Sequence, residues 1–267
     1  MIQLSREIRF SLFELTAGNE KPTNSWAGWP STNWVVPHLT LRLELIGEVN
    51  LKTGYLCNIK VVDDLVRLIL KEQVLPRFSM LQSAEALIFD ISKQIFDRWD
   101  HPSQVTGIHL SLSPYLTYSV LREPKMPTET HVELTQQFEF SASHRLHCHE
   151  LSEEENRSLF GKCNNPNGHG HNYVFEVTVS RGNFQGSSGQ VISLAELEST
   201  VKRLVVDPLD HKHLNEDVDY FRDVNPSVEN IAVAIFNWLE GAFGDAKLKR
   251  VKVFETPKTW AQYSGSS

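Results

Sequence analysis

YVFEVTVSRGNFQGSSGQVISLAELESTVKRLVV, residues 173–206, changes its period partway along. Tyr173, Phe175, Val177 and Val179 recur at every second residue, the repeat of a strand with one buried face. The Gly- and Ser-rich stretch that follows reads as a turn into a second short strand. Leu194, Leu197, Val201, Leu204 and Val205 then keep the spacing of a helix with one apolar side. Strand and helix in succession, each apolar on one face, predict an α+β unit with helices laid on an antiparallel sheet.

LTLRLELIGEVNLKTGYLCNIKVVDDLVRLIL, residues 39–70, runs in the same order. The correspondence continues downstream. Ser83-Ala-Glu85 opens a helix with Leu87, Ile91 and Ile95 on one side, and Ser227-Val-Glu229 opens another with Ile231, Ile235 and Leu239, at a constant offset of 144 positions. Serine is a strong N-cap, and an acid in the first turn suits the helix dipole. GIHLSLSPYLTYSVL (107–121) and RVKVFETPKTWAQYS (250–264) close the two copies as strand pairs. The expected organisation is two tandem units, each a four-stranded antiparallel sheet with two helices on one face. They cover residues 1–121 and 131–267 and are joined by a proline-containing linker, REPKMPTET (122–130). A sheet covered on one face needs a partner for the other, which favours assembly into barrels and hence a homo-oligomer.

The whole-chain properties narrow the function. At 267 residues the chain suits two domains of ordinary size, about 100–150 residues each. A net charge of −7 offers no basic footprint for nucleic acid or an anionic membrane, and no apolar run approaches a membrane span. Three cysteines, Cys57, Cys148 and Cys163, make no disulfide framework, which points to a reducing cytoplasm. Eight of the 11 histidines lie between His131 and His213, so the chemistry is expected in the second copy. The first copy reads NWVVPHLTL (33–41) where the second has its histidine pair, and is read as a scaffold without a metal site.

GKCNNPNGHGH, residues 161–171, places a cysteine six residues before one histidine and eight before another. His169 and His171 are i, i+2 at the start of a strand, so both project from one face and can hold one ion. His144, in FSASHRL on the expected neighbouring strand, is a candidate third ligand. Three neutral imidazoles with a vacant fourth position describe catalytic zinc. Cys163 has two readings: fourth ligand of a closed site, or a base or nucleophile beside the ion. His147-Cys148-His149 also has ligand spacing, but HRLHCHELSEEEN (144–156) reads as an exposed polar loop. Asp210-His211, in DPLDHKHLN (207–215), suits a relay in which the carboxylate orients the imidazole and the imidazole moves a proton. Glu255 ends the apolar strand VFET (253–256) where the first copy has Leu112, and could accept paired hydrogen bonds from a ligand.

With these residues assembled, residues 134–265 resemble the 6-pyruvoyltetrahydropterin synthase family in FSASHRL, LSEEENRSLFGKCNNPNGHGHNY, PLDHKHLN and VFET. The resemblance implies a tunnelling fold (T-fold) whose units join edge to edge into stacked rings. By motif it makes His144, His169 and His171 the ligands of Zn2+, Cys163 the catalytic base assisted by Asp210 and His211, and Glu255 and Glu229 the pterin-binding residues. The implied substrate is 7,8-dihydroneopterin triphosphate, and the implied reaction is a carbon–oxygen lyase step that eliminates triphosphate and leaves a pyruvoyl side chain. The alternatives are the 6-carboxytetrahydropterin synthases, whose motif looks more like C-x3-H-x-H, and a pterin-binding protein without turnover. The faint first copy implies a trimer that mimics the family's hexamer.

Overall fold

In the computed structural model, residues 1–13, 23–75, 83–123, 126–181 and 190–265 are described. The chain divides into two compact units, Met1–Thr135 with Arg181–Val191, and Gln136–Ser180 with Ile192–Ser267. Both are α+β, with helices on antiparallel sheet. Among the described residues no helix is long and apolar enough to cross a membrane.

Unit 1 runs β1 (Ile2–Ser11), β2 (His38–Gly47), α1 (Ile59–Ile69), α2 (Ala84–Arg98), β3 (Gln104–Ser113) and β4 (Leu116–Glu123), with strands in the order β1-β2-β3-β4. Leu39, Leu41, Leu43 and Leu45 of β2 alternate and are buried, as are Val62, Val66 and Ile69 of α1 and Ile88, Ile91 and Ile95 of α2. Ser83 caps α2, its hydroxyl accepting from Ala86 N–H at 3.2 Å. β5 (Met126–His144) begins in this unit and continues into the next.

Unit 2 continues with α3 (Glu153–Phe160), β6 (His169–Arg181), α4 (Leu194–Val201), α5 (Asp207–Leu209), β7 (Lys212–His213), α6 (Leu214–Asp217), α7 (Val228–Leu239), β8 (Lys247–Thr256) and β9 (Thr259–Tyr263). Its strand order is β5-β6-β8-β9, with the short β7 parallel to β5. The alternation in the sequence is realised in β6: Tyr173, Phe175, Val177 and Val179 are fully buried. Phe175 packs on Phe138 at 5.4 Å and on Phe140 at 5.8 Å between ring centroids. Phe175→Ala should therefore lower unfolding free energy by about 3–5 kcal/mol, the range for an emptied aromatic core site. A urea midpoint indistinguishable from wild type would show that this cluster does not hold the sheet together.

Two expectations are corrected. The second short strand after each strand–turn does not form between β2 and α1, where residues 48–58 hold a turn, a bend and irregular chain but no strand. There the Asn50 side chain accepts from the backbone N–H groups of Lys52 and Thr53 at 3.0 and 3.1 Å, and Gly54 adopts φ 72°. A side chain that satisfies its own turn removes those groups from any ladder. In the second copy most of that stretch lies outside the described residues, and residues 190–193 are not strand. The missing strand of each four-stranded sheet is instead the one that precedes it, β1 or β5. The second correction concerns residues 122–130, expected as a linker: β4 reaches Glu123 and β5 starts at Met126, with 124–125 outside the described residues. Pro127 sits one residue into its strand, where a missing N–H does least harm.

Candidate functional site

The site is built at the ends of three strands of unit 2, beneath the start of α7. His144 closes β5, His169 and His171 open β6, and Glu255 lies near the end of β8. One ligand atom from each of these four residues lies within 4.8 Å of the others. The Nε2 atoms of His144 and His169 are 3.1 Å apart. Glu255 Oε1 stands 3.5 Å from His144 Nε2 and 3.6 Å from His171 Nε2. Tyr173, next along the same face of β6, forms the floor, its ring 5.4 Å from that of His171.

The tautomer of His144 follows from its neighbour. Its Nδ1 is 2.7 Å from the Pro226 carbonyl, which can only accept, so Nδ1 carries the hydrogen and Nε2 offers a lone pair to the cluster. Pro226 immediately precedes Ser227, the N-cap of α7, so one hydrogen bond ties the helix start to His144. Burial holds His144 down to about 4, against its ordinary 6.5; the Pro226 carbonyl opposes this, and His169, His171 and His213 add to it. Burial and then His171 also push His169 below its ordinary value. Imidazoles kept neutral at neutral pH are the form that binds a cation. His169 Nδ1 and His171 Nε2 are buried without a hydrogen-bond partner. Three converging imidazoles, one of them with an orphaned inward nitrogen, fit a divalent cation of the zinc type.

In chelator-treated protein this burial has a pH signature. An unfolded chain binds the His144 proton near 6.5, the folded one only near 4. Between those values the unfolded state holds more protons, so stability is fully present above pH 6.5 and is lost as the pH falls towards 4. The span corresponds to roughly 3 kcal/mol. Urea midpoints from pH 7 to pH 4 should fall in the metal-free protein and fall less in His144→Gln; equal slopes would assign the effect to another group.

Gly168 sets the entry of β6. Its φ is 69°, and a Cβ there would meet His213 Nε2 at 2.8 Å and the His144 carbonyl oxygen at 3.0 Å, so both backbone and space require glycine. Cys163 lies on the single turn Gly161–Asn164, which follows α3. Leu146 N–H donates to the Cys163 carbonyl at 2.9 Å, and the Asn164 side chain donates to the Leu146 carbonyl at 2.8 Å, so this loop is tied to the end of β5. The half-buried thiol stands outside the four-residue donor cluster. It lines a cavity of about 870 Å³ with His169, Arg157 and Lys162.

The Asp210–His211 pair is displayed on another side. His211 Nδ1 is 2.7 Å from Asp210 Oδ2, while the other oxygen, Oδ1, accepts from Ser141 N–H at 2.8 Å. The Ser141 N–H bond, then the His211 contact, hold the Asp210 carboxyl below its ordinary value. His211 has φ 58°, the left-handed region that side chains avoid, and its N–H donates to the Ser141 carbonyl at 2.6 Å. Such strain persists where surrounding bonds over-determine it, commonly at functional positions. The His211 ring is exposed and lines a cavity of about 460 Å³ with His171, Ser143 and His213. Glu229 is exposed in the first turn of α7 and lies outside the donor cluster.

Other contributors were not legible from motifs. Ser141 holds both members of the Asp–His pair through its backbone, and His213 lines the cavities on both of its sides. The expected exposed loop around His147-Cys148-His149 is only partly so: His149 is exposed, but His147 and Cys148 are half-buried. Asn156, fully buried, pins the loop by accepting from Cys148 N–H and donating to the carbonyls of Cys148, Leu151 and Ser152. Asn164 donates towards His147 Nδ1 at 3.1 Å, which occupies the lone pair that a metal would need.

The model of the 6-pyruvoyl tetrahydropterin synthase family matches residues 133–266. The 6-pyruvoyl tetrahydrobiopterin synthase of Homo sapiens is 47% identical over 133 residues, 50% of this chain and 91% of that protein. The enzyme of the same name from Drosophila melanogaster is 43% identical over 133 residues, 49% of this chain and 79% of that protein. Among solved structures, Caenorhabditis elegans 6-pyruvoyl tetrahydropterin synthase is 42% identical, with a TM-score of 0.48, over 51% of this chain and 96% of that one. Through its second half, this chain belongs to the 6-pyruvoyl tetrahydropterin synthase family.

Proposed function

We propose that the chain is a zinc-dependent 6-pyruvoyltetrahydropterin synthase, converting 7,8-dihydroneopterin triphosphate to 6-pyruvoyltetrahydropterin with loss of triphosphate. The observation that carries this reading is the convergence of His144, His169 and His171 on one point beside the cavity that holds Cys163. When bound, the cation polarises the hydroxyls of the substrate side chain and acidifies the carbons beside them. Glu255 and Glu229 accept hydrogen bonds from the pterin ring and its amino group. Cys163 takes a proton from the side chain and returns it elsewhere along the same chain of atoms. His211, oriented by Asp210, moves the hydroxyl proton. The electrons released at carbon expel triphosphate, so the reaction is internal and redox-neutral.

The thiol and the Asp–His pair line different cavities, and we assign them to two copies of the chain that meet at one pocket. The two units support a duplicated origin. Each has sheet order first-second-third-fourth, with a π-helical turn after the helix that follows its second strand, Leu70–Val74 after α1 and Lys202–Val206 after α4. Each also slips register between its second and third strands and again between its third and fourth. β1 and β9, each paired on one side, are the edges along which copies would join into barrels. The assembly that fits is a trimer, with second units contacting each other in one ring and first units in another.

Purified zinc-loaded protein, incubated without oxygen with 7,8-dihydroneopterin triphosphate, should yield a pterin with a pyruvoyl side chain by mass spectrometry. A carboxy product with released acetaldehyde would move the chain to the 6-carboxytetrahydropterin branch. Absence of any product would leave a pterin-binding protein and end the synthase reading.

A further inference from the structure

Glu255 stands among the histidines, its Oε1 within 3.6 Å of two imidazole nitrogens. Val251, Val253 and Glu255 alternate along β8, the two valines fully buried. The register with β9 slips between Phe254 and Thr256, so Glu255 is left without a partner across that pair. The ladder to β6 ends at Val174 and Phe254. Leu112 occupies the corresponding slip in unit 1, between Ser111 and Ser113.

Here the side chain is aimed at the donors. Its Oε1 lies 3.5 Å from His144 Nε2 and 3.6 Å from His171 Nε2, while His144 and His169 nitrogens are 3.1 Å apart. Four donors held about 2.0–2.2 Å from one ion at tetrahedral corners stand about 3.3–3.6 Å from each other. These three separations agree to a few tenths of an ångström, and the remaining pairs lie within 4.8 Å, close enough for a bound ion to draw them in. For the two carboxylate contacts, direct hydrogen bonding is the poorer account. The carboxylate contacts are long for such a bond, and His171 Nε2 is buried with no hydrogen-bond partner.

We infer that Glu255 is the fourth donor of the metal in the ligand-free protein, and that a bound pterin ring draws this carboxylate away through its N–H groups. The second half of the inference rests on the proposed function; the first does not. A carboxylate bound to the ion closes the coordination position that a catalytic site keeps open. One carboxylate cannot serve ion and ring together in full, so seating the ring opens the position as the substrate side chain arrives. Molecules with hydroxyls or phosphates but no adjacent ring N–H donors meet a closed site. Selectivity then comes from an exchange of partners at Glu255.

The test uses cobalt(II) as the probe ion and neopterin, which lacks phosphates, as the probe ligand. Affinity is measured by chelator competition, and coordination by visible absorption, in wild type, Glu255→Gln and Glu255→Asp. Both variants should bind cobalt at least about tenfold more weakly, since even groups that only orient a ligand are worth about 10–100-fold. Their spectra should differ from wild type before any pterin is added. Neopterin should change the wild-type spectrum by releasing the carboxylate, and a hydroxylated compound without the ring, glycerol, should change the spectrum of Glu255→Gln but not that of wild type. If Glu255→Gln fails to fold, Glu255→Asp, with its carboxylate one methylene short, carries the same prediction. Wild-type affinity and spectrum in the variants would overturn the fourth-donor assignment. An unchanged wild-type spectrum with neopterin bound would overturn the exchange alone. Neither readout needs triphosphate or turnover, so a chain inactive as a synthase still answers.

Discussion

Cys163→Ala is expected to keep its full metal content and to lose turnover by roughly 10²- to 10⁴-fold, the contribution of a positioned proton-transfer group. Metal content should survive because the four atoms that surround the site come from His144, His169, His171 and Glu255, with the thiol outside them. The local fold should survive as well. What ties this loop to β5 is the Cys163 carbonyl and the Asn164 amide, neither of which the substitution touches. The two readings of the thiol separate cleanly here. Elemental analysis showing about one metal per chain in an inactive variant supports the base; loss of metal together with activity would make Cys163 a ligand, and the cluster would need redrawing.

His144→Ala is expected to have the opposite profile. It removes one of the donors and also leaves the buried Pro226 carbonyl without its 2.7 Å partner. Metal binding should fall by well over tenfold, since a direct donor outranks the outer groups that are worth about 10–100-fold. Stability should fall by about 1–3 kcal/mol from the unsatisfied carbonyl, in addition to the emptied volume. Activity would then be lost even with excess zinc, because the start of α7 is no longer held against the strand end. Chelator competition and urea unfolding, run on the same preparation, separate the two effects. A variant that binds zinc as wild type does would remove His144 from the metal site.

Much of unit 2 could be read from the chain. A strand buries every second side chain, so Tyr173, Phe175, Val177 and Val179 announce their face without any partner being known. The same periodicity puts His169 and His171 on that face. Ser83 and Ser227 cap helices because a hydroxyl in that position satisfies a free N–H locally. These are short-range facts, and sequence order is enough to state them. Where short-range signals competed, the reading failed. The stretch before α1 reads as a brief second strand, but Asn50 and Thr53 close the chain into a turn there, Tyr55 donating its N–H to the Thr53 hydroxyl and accepting from Asn50 N–H. REPKMPTET looks like a linker because of its prolines, yet proline near a strand start costs a ladder little.

Fold class, capped helices, the facing His169–His171 pair and the family motifs can all be read along the chain. Which distant groups meet is visible only in the folded chain. Pro226 reaches His144 across 82 positions, and Ser141 orients Asp210 across 69. Glu255 meets the histidines because it shares the face of Val251 and Val253, and the pairing of β8 with β6 lays that face beside the start of β6. The physical reason is one of range: periodicity and capping act within a turn or two of chain, whereas a metal site requires side chains from three strands and a helix start to converge within a few ångströms. That convergence is set by register and packing, and no local pattern encodes it.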